Sequence, residues 1–396
     1  MVDRPPLLTR RFVLVVATGL LYFLALGMLL PVTPLYVQRR LGGGDVSVGV
    51  AVGALFVGAV LLRPYAGRVG DRIGRRLLII GGAVVVTVST ALYGVFESIG
   101  WLIGMRSLTG LGEAAFFVGA ATMITDLSPT ERRGEALSYW SVAIYGGLGV
   151  GPALGEAVLG DDRYVATFIV SAGLALLAAL LALVTTEVER PEPAPEGVPI
   201  VNRAALLPGS VLFLGLCSLA AFTAFVRLYI DELGLSGGEG IFLLYGGLVL
   251  VVRIVGARLP DVLGARRAGT GALVANCAGM VVMASWRGVG GLVVGTVLFA
   301  AGQSLLYPSL LLLALRLAPE SERASVVGTF SSFFDLSQGL GALGLGVVAA
   351  LAGYRGTFAA AAVLAACGLV LLHVAVAHRD RPPEADLAHD PLATPA

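Results

Sequence analysis

Lysine is absent from this chain; all 27 basic residues are arginine. That excludes a Gly-x-x-x-x-Gly-Lys-Ser/Thr phosphate cradle and disfavours ATP-driven work by this chain alone. Charge of either sign is scarce. Charged residues make up 13% of the 396 positions and hydrophobic ones 57%, with a mean hydropathy of +0.89. A soluble domain carries about 25% charged residues, so a soluble globule is excluded. The net charge of +1 offers no bulk field to attract nucleic acid. Cysteine is sparse as well: Cys217, Cys277 and Cys367 sit far apart in apolar runs, which excludes a disulfide framework or a Cys-based metal site. The three histidines, His373, His378 and His389, all lie near the C-terminus. No metal, nucleotide or cofactor is expected, and no nucleophile–base constellation can be assembled, so the chain is not read as an enzyme.

What fills the chain is apolar sequence in runs of spanning length, roughly 20 residues each. They fall near 12–37, 47–66, 77–96, 101–125, 135–157 and 164–185, then 207–230, 240–259, 268–286, 289–314, 325–351 and 356–377. Each must be a helix, because only a helix satisfies its own backbone hydrogen bonds in lipid. The first run is too long for a signal peptide and reads as an uncleaved span. The stretch Thr186–Pro199 is polar and rich in proline and reads as an extended linker. The expected organisation is a bundle over residues 1–185, a cytoplasmic linker over 186–204, a second bundle over 205–379 and a disordered tail over 380–396.

The two halves are related by a shift of 190 positions. Arg63, Arg68, Asp71, Gly74 and Arg76 correspond to Arg253, Arg258, Asp261, Gly264 and Arg266. The same shift takes Gly112 to Gly302, Arg133 to Arg323, Gly151 to Gly341, Tyr164 to Tyr354 and Phe168 to Phe358. One constant offset implies equal loop lengths and six spans per half in the same orientation. Parallel repeats of this kind belong to alternating-access transporters. Most arginines fall on the side of the N-terminus, the 68–76 and 132–133 connections and the linker. The positive-inside rule therefore places both termini in the cytoplasm, with the chain in the inner membrane.

The stretch Gly67-x-x-x-Asp71-Arg72-x-Gly74-Arg75-Arg76 between the second and third spans resembles the loop motif of the major facilitator superfamily. The resemblance implies an all-α membrane protein of twelve transmembrane helices in two pseudo-symmetric six-helix bundles. It also implies that Asp71 latches the halves against the start of the eleventh span. Arg106-x-x-x-Gly110-x-Gly112-x-Ala114 is similar to the family's fourth-helix pattern. Gly147-x-x-x-Gly151-Pro152-x-x-Gly155-Glu156 resembles the fifth-helix signature of the drug and metabolite:proton antiporters, with Glu156 where that signature has glycine. Small residues there allow close helix approach, so Gly147, Gly151, Pro152 and Gly155 are candidates for a hinge or seal.

Arg106 and Glu113 are seven apart, on one face of a helix. Glu113 lies mid-span and Asp335 lies mid-span in the eleventh helix; ionisable groups at that depth are functional by default. Glu113 and Asp335 are the candidate proton carriers, with Arg106 expected to tune them. Arg63 and Arg253, near span ends, are read as structural, and Arg227 as snorkelling to the surface. Tyr22, Phe117, Tyr145, Gln303, Phe334 and Gln338 are candidates for lining a central cavity with aromatic walls, suited to an amphiphilic solute. The resulting expectation is a monomeric, proton-gradient-driven exporter of a small amphiphilic or drug-like solute. Uptake of a sugar or organic acid, by facilitated diffusion or proton symport, is the nearest alternative, and a non-transporting receptor is a more distant one.

Overall fold

The computed structural model describes residues 7–129, 132–187, 201–235, 238–256, 259–318 and 323–379, which form helices and connections without a strand among them. Helix α1 spans Arg10–Leu35, begun by Thr9, whose hydroxyl accepts from the Phe12 amide at 3.3 Å. This satisfies one of the donors that every helix start leaves over. A wider π-type turn over Tyr36–Arg40 ends the span. Then follow α2 (Asp45–Ile73), α3 (Arg75–Ala91), α4 (Ile99–Asp126), α5 (Arg133–Leu159) and α6 (Tyr164–Val184). The second half holds α7 (Arg203–Glu232), α8 (Gly238–Val255), α9 (Leu259–Leu263), α10 (Ala265–Ser285), α11 (Val289–Arg316) and α12 (Arg323–Arg379). Helix α12 is broken at Gly353 (φ 69°, ψ 180°) and so contains two spans.

By length and composition, nine helices of the described residues can cross a membrane. That number counts α12 once and omits α3, which has 17 residues, and α8, so it is compatible with twelve spans. The sides turned away from neighbouring helices carry apolar residues such as Leu61, Val255, Leu351 and Val363, as a lipid-facing surface requires.

The 190 shift holds in the backbone. Helices α3, α4 and α5 begin at 75, 99 and 133, and α10, α11 and α12 begin at 265, 289 and 323. Gly74 (φ 100°, ψ 148°) and Gly264 (φ 85°, ψ 145°) share an unusual conformation that glycine adopts without strain. Two sequence expectations change. Helix α2 runs on through Ile73, past the end near 66 expected for the second span, so the arginine-rich motif is helical up to Gly74. The second half begins at Arg203, inside the stretch assigned to the linker. Linker residues 188–200 and the expected tail lie outside the described residues.

Within the first half α1 packs on α5 and α6, α2 on α4, and α3 on α4 and α6; within the second, α7 packs on α12 and α11, and α10 on α11 and α12. Between halves the contacts run from α1 to α7, from α2 to α12 and from α5 to α8. The apolar cores distribute unevenly. At the end bearing the α1–α2 connection one continuous core joins Tyr36, Val48 and Phe168 to Phe222, Phe225 and Phe358. At the opposite end each half has its own core, around Phe12, Phe116 and Trp140 in one and Leu212, Leu310 and Phe330 in the other. The bundles are thus closed against each other at the α1–α2 end.

Candidate functional site

The site forms where α2 meets α4 and the first span of α12. Arg63 is brought there by α2, which approaches α12 closely because Gly53 lies against the carbonyl of Gly339; a methyl at position 53 would sit 2.6 Å from that oxygen. Arg63 Nη2 donates to Glu113 Oε2 at 3.0 Å, and its Nε lies 2.7 Å from Asp335 Oδ2. Its guanidinium carbon stands 4.9 Å from the centre of the Phe117 ring, a cation–π contact. The three charged side chains are 9%, 11% and 1% exposed for Arg63, Glu113 and Asp335. The carboxylates thus come from opposite halves and share one cation. Neither oxygen of Asp335 has a hydrogen-bond partner among the described residues; charge alone holds it. A buried carboxylate is strongly destabilising once its counter-ion is removed.

Arg63 is therefore the residue that the sequence reading underrated. Its position near the end of a run suggested a structural role, yet its long side chain reaches inward. Arg106, expected to tune Glu113, has other partners: the carbonyls of Ala51 (2.5 Å) and Val52 (3.4 Å) and the hydroxyl of Thr33 (3.1 Å). It ties α4 to α1 and α2.

The remaining candidates divide between the halves. Tyr22 is fully buried and stacked on Phe116 at a centroid distance of 3.6 Å. Phe117 packs against Phe23 and Trp140 as well as Arg63. The Tyr145 hydroxyl accepts from Arg253 Nη2 at 2.7 Å, across the α5–α8 contact. Gln303 donates to Ser218 Oγ at 3.2 Å and Gln338 to the Leu216 carbonyl at 3.1 Å, so both bind within their own half. Phe334 packs at the edge of the second half's separate core.

In the loop motif the side chain of Asp71 and the surroundings of Gly67 lie outside what the structure describes, as does the side chain of Ala324 at the start of α12 that Asp71 was expected to face. Arg72 is exposed. Arg75 Nε lies 2.5 Å from Asp126 Oδ2 at the end of α4. Gly74 has a second role beyond its backbone conformation. The Glu187 carboxylate accepts from the Arg75 and Arg76 amides at 2.9 and 3.1 Å, and a methyl on Gly74 would sit 2.8 Å from Glu187 Oε2.

The fifth-helix glycines are packing residues. A methyl on Gly147 would sit 2.6 Å from the Leu24 amide, one on Gly151 2.7 Å from the Gly27 Cα, and one on Gly155 would meet the Met28 carbonyl. Pro152 lies inside the helix, where it supplies no backbone donor. Glu156, the departure from the antiporter pattern, has its own partner: Oε1 lies 3.0 Å from Arg227 Nε on α7. Arg227 also pairs with Asp231, which takes Arg39 Nη2 at 2.6 Å. Arg227 is thus an ion-pair residue rather than a snorkelling one. Beside this chain of charges Tyr354, Gln38 and Asp45 bond mutually at 2.7–3.0 Å. Of these contacts, Glu156 with Arg227, Arg39 with Asp231, and Tyr354 with Gln38 and Asp45 join the two halves at the α1–α2 end.

Two bundles of matching backbone, closed against each other at one end and sharing a charge cluster, agree with the similarity to known proteins. The family model of the Major Facilitator Superfamily matches residues 15–289 and 241–394. The chain belongs to the major facilitator superfamily. As a member it is a multi-pass membrane transporter and not an enzyme. It is 30% identical to an uncharacterized MFS-type transporter of Salmonella typhimurium, over 90% of this chain and 94% of that protein. It is 31% identical to multidrug resistance protein 1 of Bacillus subtilis over 56% of this chain and 55% of that one. Its fold superimposes on the crystal structure of the nucleoside transporter NupG with a TM-score of 0.74, at 13% identity, over 93% of this chain and 99% of that one.

Proposed function

We propose that this transporter exports a small amphiphilic solute in exchange for protons, by alternating access in the cytoplasmic membrane, as a monomer. Residues 1–185 and 203–379 act as the two moving bundles, joined by a cytoplasmic linker. The arginine distribution sets both termini and the Gly74 end in the cytoplasm, so the closed α1–α2 end is the outer one. The observation that carries the reading is Arg63 bound to one carboxylate from each half.

Two carboxylates around one guanidinium leave the cluster one negative charge in excess when both are ionised. Uptake of one proton makes it neutral, which a low-dielectric site favours. A proton on Asp335 cancels the charge contact between Arg63 and the second half while Arg63 keeps Glu113. The halves are then freer to rearrange around the site; loss of the proton restores the tie. Solute entering beside Phe117 and Tyr22 competes with the protonated state, and that competition is the coupling. Export is supported by the glycine-rich α5, packed closely on α1 and α8, and by the similarity to a multidrug resistance protein over part of the chain.

The test is transport in proteoliposomes under an imposed pH gradient, screening fluorescent amphiphiles for movement. Accumulation should follow the gradient in the wild type. It should become insensitive to the gradient in Asp335→Asn and Glu113→Gln. Gradient-independent transport by the wild type, or gradient-driven transport by both variants, contradicts the proposal.

A further inference from the structure

The repeat extends into the charge cluster, and its two copies differ there. Arg63 corresponds to Arg253, Asp335 is 190 positions after Tyr145, and Gln303 is 190 positions after Glu113. The geometry repeats with the residues. Arg63 reaches across to Asp335 on the second half, and Arg253 reaches across to Tyr145 on the first. The charges do not repeat. Where Arg63 meets two carboxylates, Arg253 meets a phenol oxygen at 2.7 Å and the face of the same ring, 4.1 Å from its centre. Gln303, in the place of Glu113, is turned to Ser218. Among the described residues no carboxylate pairs with Arg253, and its buried Nε has no hydrogen-bond partner.

A guanidinium within a membrane bundle without a counter-ion is costly. Its free Nε is one arm of the fork that binds carboxylates, sulfonates and phosphates. Tyr245 lies two turns earlier on the same face of α8, in an aromatic group with Phe222 and Phe299 at centroid distances of 5.0 and 5.4 Å. We infer that Arg253 and Tyr145 are the docking point for the anionic group of the transported solute, whose apolar body lies toward Tyr245. The solute is an amphiphilic anion, and it supplies the negative charge that position 335 supplies to Arg63. This rests on the chain being a solute transporter and deepens the proposed substrate class; proton coupling can fail without affecting it.

The experiment uses the full chain in uncharged detergent and matched pairs differing in charge alone: naphthalene-1-carboxylate and its carboxamide, naphthalene-1-sulfonate and its sulfonamide, decanoate and decanamide. Ligand-induced shifts of the melting temperature are recorded over a concentration series. At least one acid should bind roughly ten- to a hundredfold more tightly than its amide, the range of a charge-assisted hydrogen bond. Arg253→Gln should remove that difference, and Arg253→Lys should retain part of it. A mere brace between α5 and α8 would lower the melting temperature of Arg253→Gln without ligand yet leave the acid–amide difference intact. That result overturns the inference, as does failure of every acid to outbind its amide. An anionic lipid headgroup shares the chemistry, so dioleoylphosphatidylglycerol and dioleoylphosphatidylcholine are added in parallel. Arginine-dependent stabilisation by the former alone, with none by the soluble acids, also overturns it.

Discussion

Arg63 is the residue on which the two halves of the charge cluster depend. Replacing it with Gln leaves Glu113 and Asp335 without their cation. Breaking a buried pair by removing one partner costs about 3–5 kcal/mol, so Arg63→Gln should melt well below wild type in detergent. The triple variant Arg63→Gln/Glu113→Gln/Asp335→Asn, with no buried charge left in the cluster, should recover most of that loss. A triple variant no more stable than Arg63→Gln would mean that packing, not charge, sets the value of this position. The carboxylates were legible in the sequence because an acid in mid-span is costly and rarely persists there without a function. Arg63 was not legible as their partner. Position along a helix fixes which turn a residue occupies, but not whether a long side chain points to the lipid edge or into the bundle. Arg106 shows the reverse: seven-residue spacing put it on the face of Glu113, while the Ala51 and Val52 carbonyls of α2 and the Thr33 hydroxyl of α1 take its donors.

At the scale of elements, the two copies of the loop motif differ in what they ask of their glycines. Gly74 and Gly264 share positive-φ geometry, but Gly74 has a carboxylate, Glu187, against it, whereas among the described residues a methyl at Gly264 meets nothing within 4 Å. Gly264→Ala should cost only backbone strain, of order 1–3 kcal/mol. Gly74→Ala should cost more, because it also displaces the carboxylate that binds the first amides of α3. Melting temperatures of the two variants compare them directly, and equal losses would deny Glu187 that role. The α5–α8 seam offers a second element-scale prediction. A methyl on Gly246 would run into the Cα of Gly149, so Gly246→Ala must part the helices and should slow transport more than Gly247→Ala, whose methyl has open space. The glycine pattern of α5 was visible in the sequence as a packing surface. That its partners are both α1 and α8 was not, because small residues permit close approach without naming the neighbour.

At the scale of the molecule, the parallel repeat was legible in the constant 190-residue offset, since loop lengths must match for one shift to hold through five spans. The state of the bundles was not readable in the same way. Closure at the α1–α2 end depends on contacts between residues far apart in the chain, such as Glu156 with Arg227 and Arg39 with Asp231. Arg39–Asp231 is partly exposed and individually weak, whereas Glu156–Arg227 is largely buried, so Arg227 is the stronger tie at this end. Arg227→Gln combined with Tyr354→Phe should shift the population toward opening at that end. A cysteine at position 224, fully buried in the shared core, should then react faster with a membrane-impermeant maleimide added from outside; an unchanged rate would remove these contacts from the gate.

The central claim is that the protonation of a cluster shared by both halves controls their relative position. The most direct measurement is the distance distribution between spin labels at Ile73 and Leu263, exposed and 190 positions apart on the two halves, recorded by double electron–electron resonance at high and low pH in a cysteine-free background. The wild type should change its distribution on acidification, and Asp335→Asn should show the low-pH distribution at both pH values. Identical distributions for both proteins at both pH values would contradict the account.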